Sequence, residues 1–295
     1  MNYLHRSSPA PASPLAKALI RLSVIPGALS FVVGVATGIW KMGCIRGLFS
    51  AYPPDFLPSH GTIMVGAFLG TLVIFEKILP HATLSLFWVP YLWCFSIYLL
   101  RVNFKLAVAL NLIALAGWIA YNALISIKIK RFAEPLILVL VYVLLSAVIF
   151  VEKGIDMGTS SAIHALLFPV ATISLERIEL SMATGRMLSR LTYFFLIVLI
   201  LVSLLDLFFN FLGNEFYGLF FIVLLILMFS NDMTFKFLRQ KIGFSISYPL
   251  HEFSLKTIFI AYLWLLLSAW FLLVSKFLPQ SRDIVIHSTG LGLSL

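Results

Sequence analysis

The chain has 295 residues, 61% of them hydrophobic and 11% charged, with a mean hydropathy of +1.04 and a formal net charge of +9. A soluble globule carries roughly a quarter charged residues, so this composition excludes one and points to lipid as the solvent. Twenty-seven Phe, ten Tyr and six Trp lie in Leu/Ile/Val-rich runs near the roughly 20 residues a helix needs to cross the hydrocarbon core. Helices are expected because an open sheet leaves its backbone unsatisfied there.

The chain opens on a Ser/Pro/Ala-rich tail, with residues 1–19 assigned to the cytoplasm and residues 20–295 to an all-α transmembrane domain. Spans are predicted near 20–40, 60–79, 83–100, 104–125, 135–150, 160–175, 191–212, 216–229 and 257–278. A tenth begins at Ile286, which makes nine to ten spans in a polytopic bundle. The first run is too long for a signal-peptide core and lacks a cleavage site after Ala36-Thr37-Gly38, so it reads as a retained helix. From His287 to Leu295 the last run holds nine residues, a rise of roughly 13 Å, under half of a core about 30 Å thick. The expectation is therefore that the reading frame continues into a longer chain or that this tail folds back along the outer interface.

Lys and Arg alone set orientation. With the N-terminus inside, the inner segments hold fourteen of them and the outer loops seven. That count places the N-terminus in the cytoplasm of a cell with this protein in its inner membrane. Basic inner loops facing anionic lipid account for the positive charge without a nucleic-acid partner.

Three histidines, His60, His164 and His287, stand at or near the start of the second, sixth and tenth runs. With the orientation above, all three lie near the outer face. A histidine at the same end of every fourth helix is what a polytopic protein needs to gather imidazoles around a buried cofactor, and it suggests a loose four-helix repeat. His60 opens the segment Ser59-His60-Gly61-Thr62-Ile63-Met64-Val65-Gly66-Ala67-Phe68-Leu69-Gly70. Gly66 and Gly70 form a small-residue face that lets another backbone or a flat ring come close, and His60 and Met64, four apart, share one side of the helix. The bland alternative is a packing seam with an interfacial histidine. His164 is followed five residues later by Pro169, which removes a helical hydrogen bond within the bilayer. Both His-led helices end in an acidic-basic pair, Glu76-Lys77 and Glu176-Arg177, of the kind that anchors a helix at the boundary.

The other candidates are weaker. His5, His81 and His251 lie in the tail and inner loops. Cys44 and Cys94 are far apart and form no CxxC, so each reads as a small apolar residue. Asp206 and Glu215 flank the seventh and eighth runs, and Asp206 is expected to face the bundle interior or water rather than lipid. No Walker A loop, HExxH, GxSxG or CxxCH occurs.

On these residues the chain resembles the heme-copper oxidase superfamily and, with its His-led helices and without the full oxidase motifs, the NnrS-type heme and copper membrane proteins linked to nitric oxide metabolism. His60-Gly61-Thr62-Ile63-Met64 is similar to the His-Gly-x-x-Met opening of the oxidase second helix, whose histidine holds a low-spin heme. The resemblance implies His60 as an axial heme ligand, His164 as a copper or second-site ligand and His287 as a ligand from the tenth helix. It implies heme or copper as cofactor and an electron-transfer protein as partner beside the lipid bilayer. The departures are specific. Ala165-Leu166-Leu167 follows His164 where an oxidase carries His-Pro-Glu-Val-Tyr, the run 191–212 has no histidine, and His287-Ser288-Thr289 replaces two histidines one residue apart. These residues build no oxygen-reducing binuclear centre, whereas imidazole suits one or two heme irons or a single copper. Two other classes stay open at this point, a permease or channel with His60 and Asp206 along its path, and an assembly subunit with no chemistry of its own.

Overall fold

A computed structural model describes residues 14–41, 57–79, 86–153, 159–182, 189–231, 249–275 and 277. His287 and the tenth run, together with His5, His81 and Cys44, lie outside the described residues. Among those residues the chain is all-helical with no strand. The elements are α1 (Pro14–Lys41), a π-helix (Thr62–Leu69) that runs without a break into α2 (Gly70–Ile78), α3 (Trp88–Tyr98) and α4 (Phe104–Ile129). They continue with α5 (Ala133–Glu152), α6 (Thr159–Met182), α7 (Ser189–Phe209), α8 (Asn214–Asn231) and α9 (Pro249–Leu273). Four helices, α4 to α7, are long and apolar enough to cross a membrane. Segments of α1, α8 and α9 are apolar but shorter.

The chain forms two compact units, Met1–Tyr121 with Lys153–Ile155, and Asn122–Glu152 with Asp156–Leu295. In the first, α1 packs on the π-helix, α2 and α3, and α3 packs on the π-helix and α2. In the second, α5, α6 and α7 pack on one another, α8 packs on α6 and α7, and α9 packs on α8.

Burial runs opposite to that of a soluble protein. Leu124, Phe194 and Phe208 are each 65% exposed, while Asn111, Asn122, Ser203 and Asp206 are buried. Large apolar side chains turned outward in this number are what a lipid solvent accepts and water does not. The buried hydroxyls mostly return to their own helix. Ser30, Thr172, Ser174, Ser203 and Ser268 each donate to the carbonyl four residues back, which satisfies them without a partner helix.

Several boundaries differ from the sequence reading, including the start of α9 at Pro249 ahead of 257 and the end of α6 at Met182 beyond 175, and two have a local cause. The helix α1 begins at Pro14, ahead of the span predicted from residue 20, consistent with proline's fit to a first helical turn. The helix α3 has only eleven residues where a span of 83–100 is predicted. It closes in a turn over residues 99–103, where Asn103 N–H donates to Leu99 O at 2.8 Å and Asn103 Oδ1 accepts from Leu106 N–H to start α4. Residues with positive φ follow three helices, Lys130 after α4, Lys153 after α5 and Asn210 after α7. Asparagine tolerates that left-handed conformation. The Asn210 turn therefore separates α7 from α8 where the apolar pattern runs nearly unbroken.

Candidate functional site

Two clusters carry the chemistry, one in each unit. In the first unit Ser59 starts the helix, its Oγ accepting Thr62 N–H at 3.3 Å and its carbonyl accepting Ile63 N–H at 3.0 Å. That turn presents the half-buried His60 to α1. His60 Nδ1 lies 2.7 Å from Gly34 O. A carbonyl oxygen only accepts, so Nδ1 carries the proton, and in the neutral ring Nε2 then holds the lone pair. A Cβ on Gly38 would come within 2.7 Å of the His60 ring, and one on Gly34 would collide with Met64 Sδ. His60 and Met64 do share a side, and it is the side that fits the Gly34/Gly38 groove of α1. The sequence carried that groove as Gly34-x-x-x-Gly38, a second small-residue seam, and it takes the His60/Met64 side of the neighbouring helix, not its Gly66/Gly70 face.

The Gly66/Gly70 face has its own occupant. Trp93 Nε1–H donates to Gly66 O at 2.9 Å, and a Cβ on Gly70 would lie 2.6 Å from Trp93 Nε1. The flat ring against these glycines is the protein's own indole. A π-helix widens the backbone ladder here, and such segments recur at functional positions. Behind Trp93, Asn111 Nδ2 donates to Ser96 Oγ at 3.2 Å, and Ser96 Oγ donates to Trp93 O at 2.7 Å. Cys94 is buried as a small residue, but its Sγ lies 3.2 Å from Ser30 Oγ, a polar contact that a purely apolar role does not include.

In the second unit His164 of α6, Asp206 of α7 and Tyr217 of α8 meet, exposed by 0%, 1% and 2%. Tyr217 O–H donates to Asp206 Oδ2 at 2.8 Å. His164 Nε2 lies 2.9 Å from the same hydroxyl oxygen and 3.2 Å from Oδ2. Asp206 Oδ1 accepts Leu212 N–H at 2.6 Å from the α7–α8 turn. The hydroxyl has a single proton, already given to the carboxylate. With Asp206 as a carboxylate, a lone pair on Nε2 would face two oxygens with no proton between, so Nε2–H is the tautomer that fits. Asp206 is then a carboxylate with three donors, which is how a buried charge is made tolerable. The burial expected for Asp206 is met, and His164 is engaged through Nε2. Tyr217 was not singled out, since a tyrosine inside an apolar run carries no local sign of its partners.

Toward the opposite end of α5 and α7, Tyr193 O–H donates to the buried Glu134 Oε1 at 2.6 Å, and Arg131 lies 3.5 Å from the same oxygen. Among the described residues no group of three or more His, Cys, Asp or Glu is arranged to hold a metal ion. His60 and His164 belong to different units.

The model of a family described as a domain of unknown function, DUF8744, matches residues 20–295. The chain belongs to that family. No curated protein and no solved structure matches this DUF8744 chain.

Proposed function

We propose that this DUF8744 protein is an integral protein of the inner cell membrane, N-terminus in the cytoplasm, that binds heme or copper and serves nitric oxide handling or respiratory electron transfer. One observation carries the reading, the hydrogen bond from His60 Nδ1–H to Gly34 O at 2.7 Å. A metal-ligating histidine almost always gives its other ring N–H to a carbonyl or carboxylate, which fixes the tautomer and aims the ligating nitrogen. His60 already has that arrangement, so Nε2 presents a lone pair suited to iron or copper. A bound heme or copper would supply one-electron transfer and, with an open position, a place for a small gas. The chain's own part is to orient the imidazole between Gly34 and Gly38 and to keep Trp93 on the Gly66/Gly70 face. His287 is the partner ligand that the family resemblance implies, and His164 is the ligand it implies for a second metal.

Cofactor content of the purified variants tests this. His60→Ala should lose the metal or heme while the protein remains in the membrane, because the Gly66–Trp93 packing is untouched. An unchanged content in His60→Ala removes His60 from the proposal. A second reading, a permease for a small solute, draws on Asp206 and His164 buried in apolar helices, since intramembrane ionisable residues often mark transport paths. Solute uptake by vesicles holding the metal-free protein would favour it.

A further inference from the structure

We propose that Ser30 of α1, Thr71 of α2, and Cys94 and Tyr98 of α3 form a binding site for a single water molecule inside the first unit. Ser30, Thr71 and Cys94 are exposed by 0%, 1% and 5%, and the hydroxyl of the half-buried Tyr98 is itself buried. Cys94 Sγ lies 3.2 Å from Ser30 Oγ. Thr71 comes close to the same thiol, and Tyr98 close to the same Ser30 hydroxyl. Neither Thr71 Oγ1 nor Tyr98 Oη reaches bonding geometry with any protein group. Thr71 thereby departs from Ser30, Thr172, Ser174, Ser203 and Ser268, which give their protons to the carbonyl four residues back. A hydroxyl that forgoes that bond in an apolar interior carries the full desolvation penalty, unless a ligand takes its proton. The inference stands independently of any metal at His60.

The protons identify the occupant. Ser30 gives its O–H to Pro26 O at 2.8 Å, so the proton between Ser30 Oγ and Cys94 Sγ belongs to the thiol. The contact of Cys94 Sγ with Pro26 O, at 3.8 Å, is the longer alternative for that proton. Thr71 and Tyr98 are then two O–H donors in need of an acceptor, while Ser30 Oγ and the Cys94 sulfur retain lone pairs. A water oxygen accepts from both donors, and its own protons go to Ser30 Oγ and to the weakly accepting sulfur. Four bonds lie within the two to four that a buried water makes. The groups acting on Cys94 and Tyr98 are hydroxyl and thiol, with no carboxylate, ammonium or guanidinium. The ligand is therefore neutral, since an ion buried here would lack a counter-charge. Bound in this way, the water links α1, α2 and α3, which pack on one another.

Thr71→Val and Tyr98→Phe each remove one hydroxyl and keep the side chain's shape. Unfolding of the full chain by steric trapping in bicelles reads the two single variants and the double. Each single variant should lower the folded-to-unfolded ratio by roughly 2- to 12-fold, the worth of one hydrogen bond. Two hydroxyls that share one water are coupled through it, so the double should lose less than the product of the two singles. Single variants as stable as the wild type or more stable, the outcome when an apolar group replaces a hydroxyl that binds nothing, would overturn the proposal. A double whose loss equals the product would do the same. Should either variant fail to fold, an experimental density map of the wild-type chain in lipid nanodiscs decides. A water peak within hydrogen-bond distance of both Thr71 Oγ1 and Tyr98 Oη is expected there, and a map without that peak overturns the site.

Discussion

Replacing Tyr217 with Phe removes one oxygen and leaves the ring's packing intact. That oxygen bonds to Asp206 Oδ2 at 2.8 Å and lies 2.9 Å from His164 Nε2, on a residue 2% exposed. No water replaces it, so the carboxylate loses one of three donors. Hydrogen bonds to charged groups contribute about 1.5–3 kcal/mol, whereas bonds between membrane helices average about 0.6 and reach about 1.7 kcal/mol. The acceptor here is a buried carboxylate, so the cost falls where the two ranges meet, and Tyr217→Phe should cost about 1.5 kcal/mol. Reversible unfolding by steric trapping in bicelles measures it. Tyr193→Phe is the internal comparison, because Glu134 keeps Arg131, a side chain 53% exposed, at 3.5 Å. Its loss should be smaller, about 1 kcal/mol or less. A Tyr217→Phe loss below about 0.5 kcal/mol, or a larger loss in Tyr193→Phe, would refute the claim that the cluster rests on the Tyr217 hydroxyl.

The packing seams give further outcomes. Gly218→Ala should cost about 1–3 kcal/mol in the same assay, because its Cβ would meet Ala269 O at 2.8 Å and backbone cannot move aside. Gly34→Ala should cost less than Gly218→Ala, since its Cβ meets the flexible end of Met64. Asn210→Ala should lose about 1 kcal/mol and Asn210→Gly nothing, because residue 210 has φ 47°. Arg239→Cys, in a background with Cys44 and Cys94 changed to Ser, should resist an impermeant thiol reagent in intact cells; labelling would invert the orientation.

Composition alone reaches the all-α architecture, and runs of apolar residues place the starts of α4 to α8 within a few positions. Asp206 was legible as a buried group because a carboxylate at the end of an apolar run has few other places to go. Tyr217 was not. Its partners lie 11 and 53 residues away on other helices, and tyrosines at span ends also serve as interfacial anchors. The shared side of His60 and Met64 is legible in their spacing, whereas the Gly34/Gly38 stripe that receives it is not, because a small-residue stripe does not name the helix that fits it. The π-helix and the shortness of α3 had no signal in runs that are apolar on every side. The imidazole tautomers follow from which oxygen each ring meets, a property of tertiary contact.

The most direct measurement is a reduced-minus-oxidised optical spectrum of the wild-type protein purified from membranes, with iron and copper assayed on the same sample. The account predicts near-stoichiometric iron with a Soret shift and sharp α and β bands, or near-stoichiometric copper. A folded, membrane-extracted protein with neither metal nor these bands would contradict it.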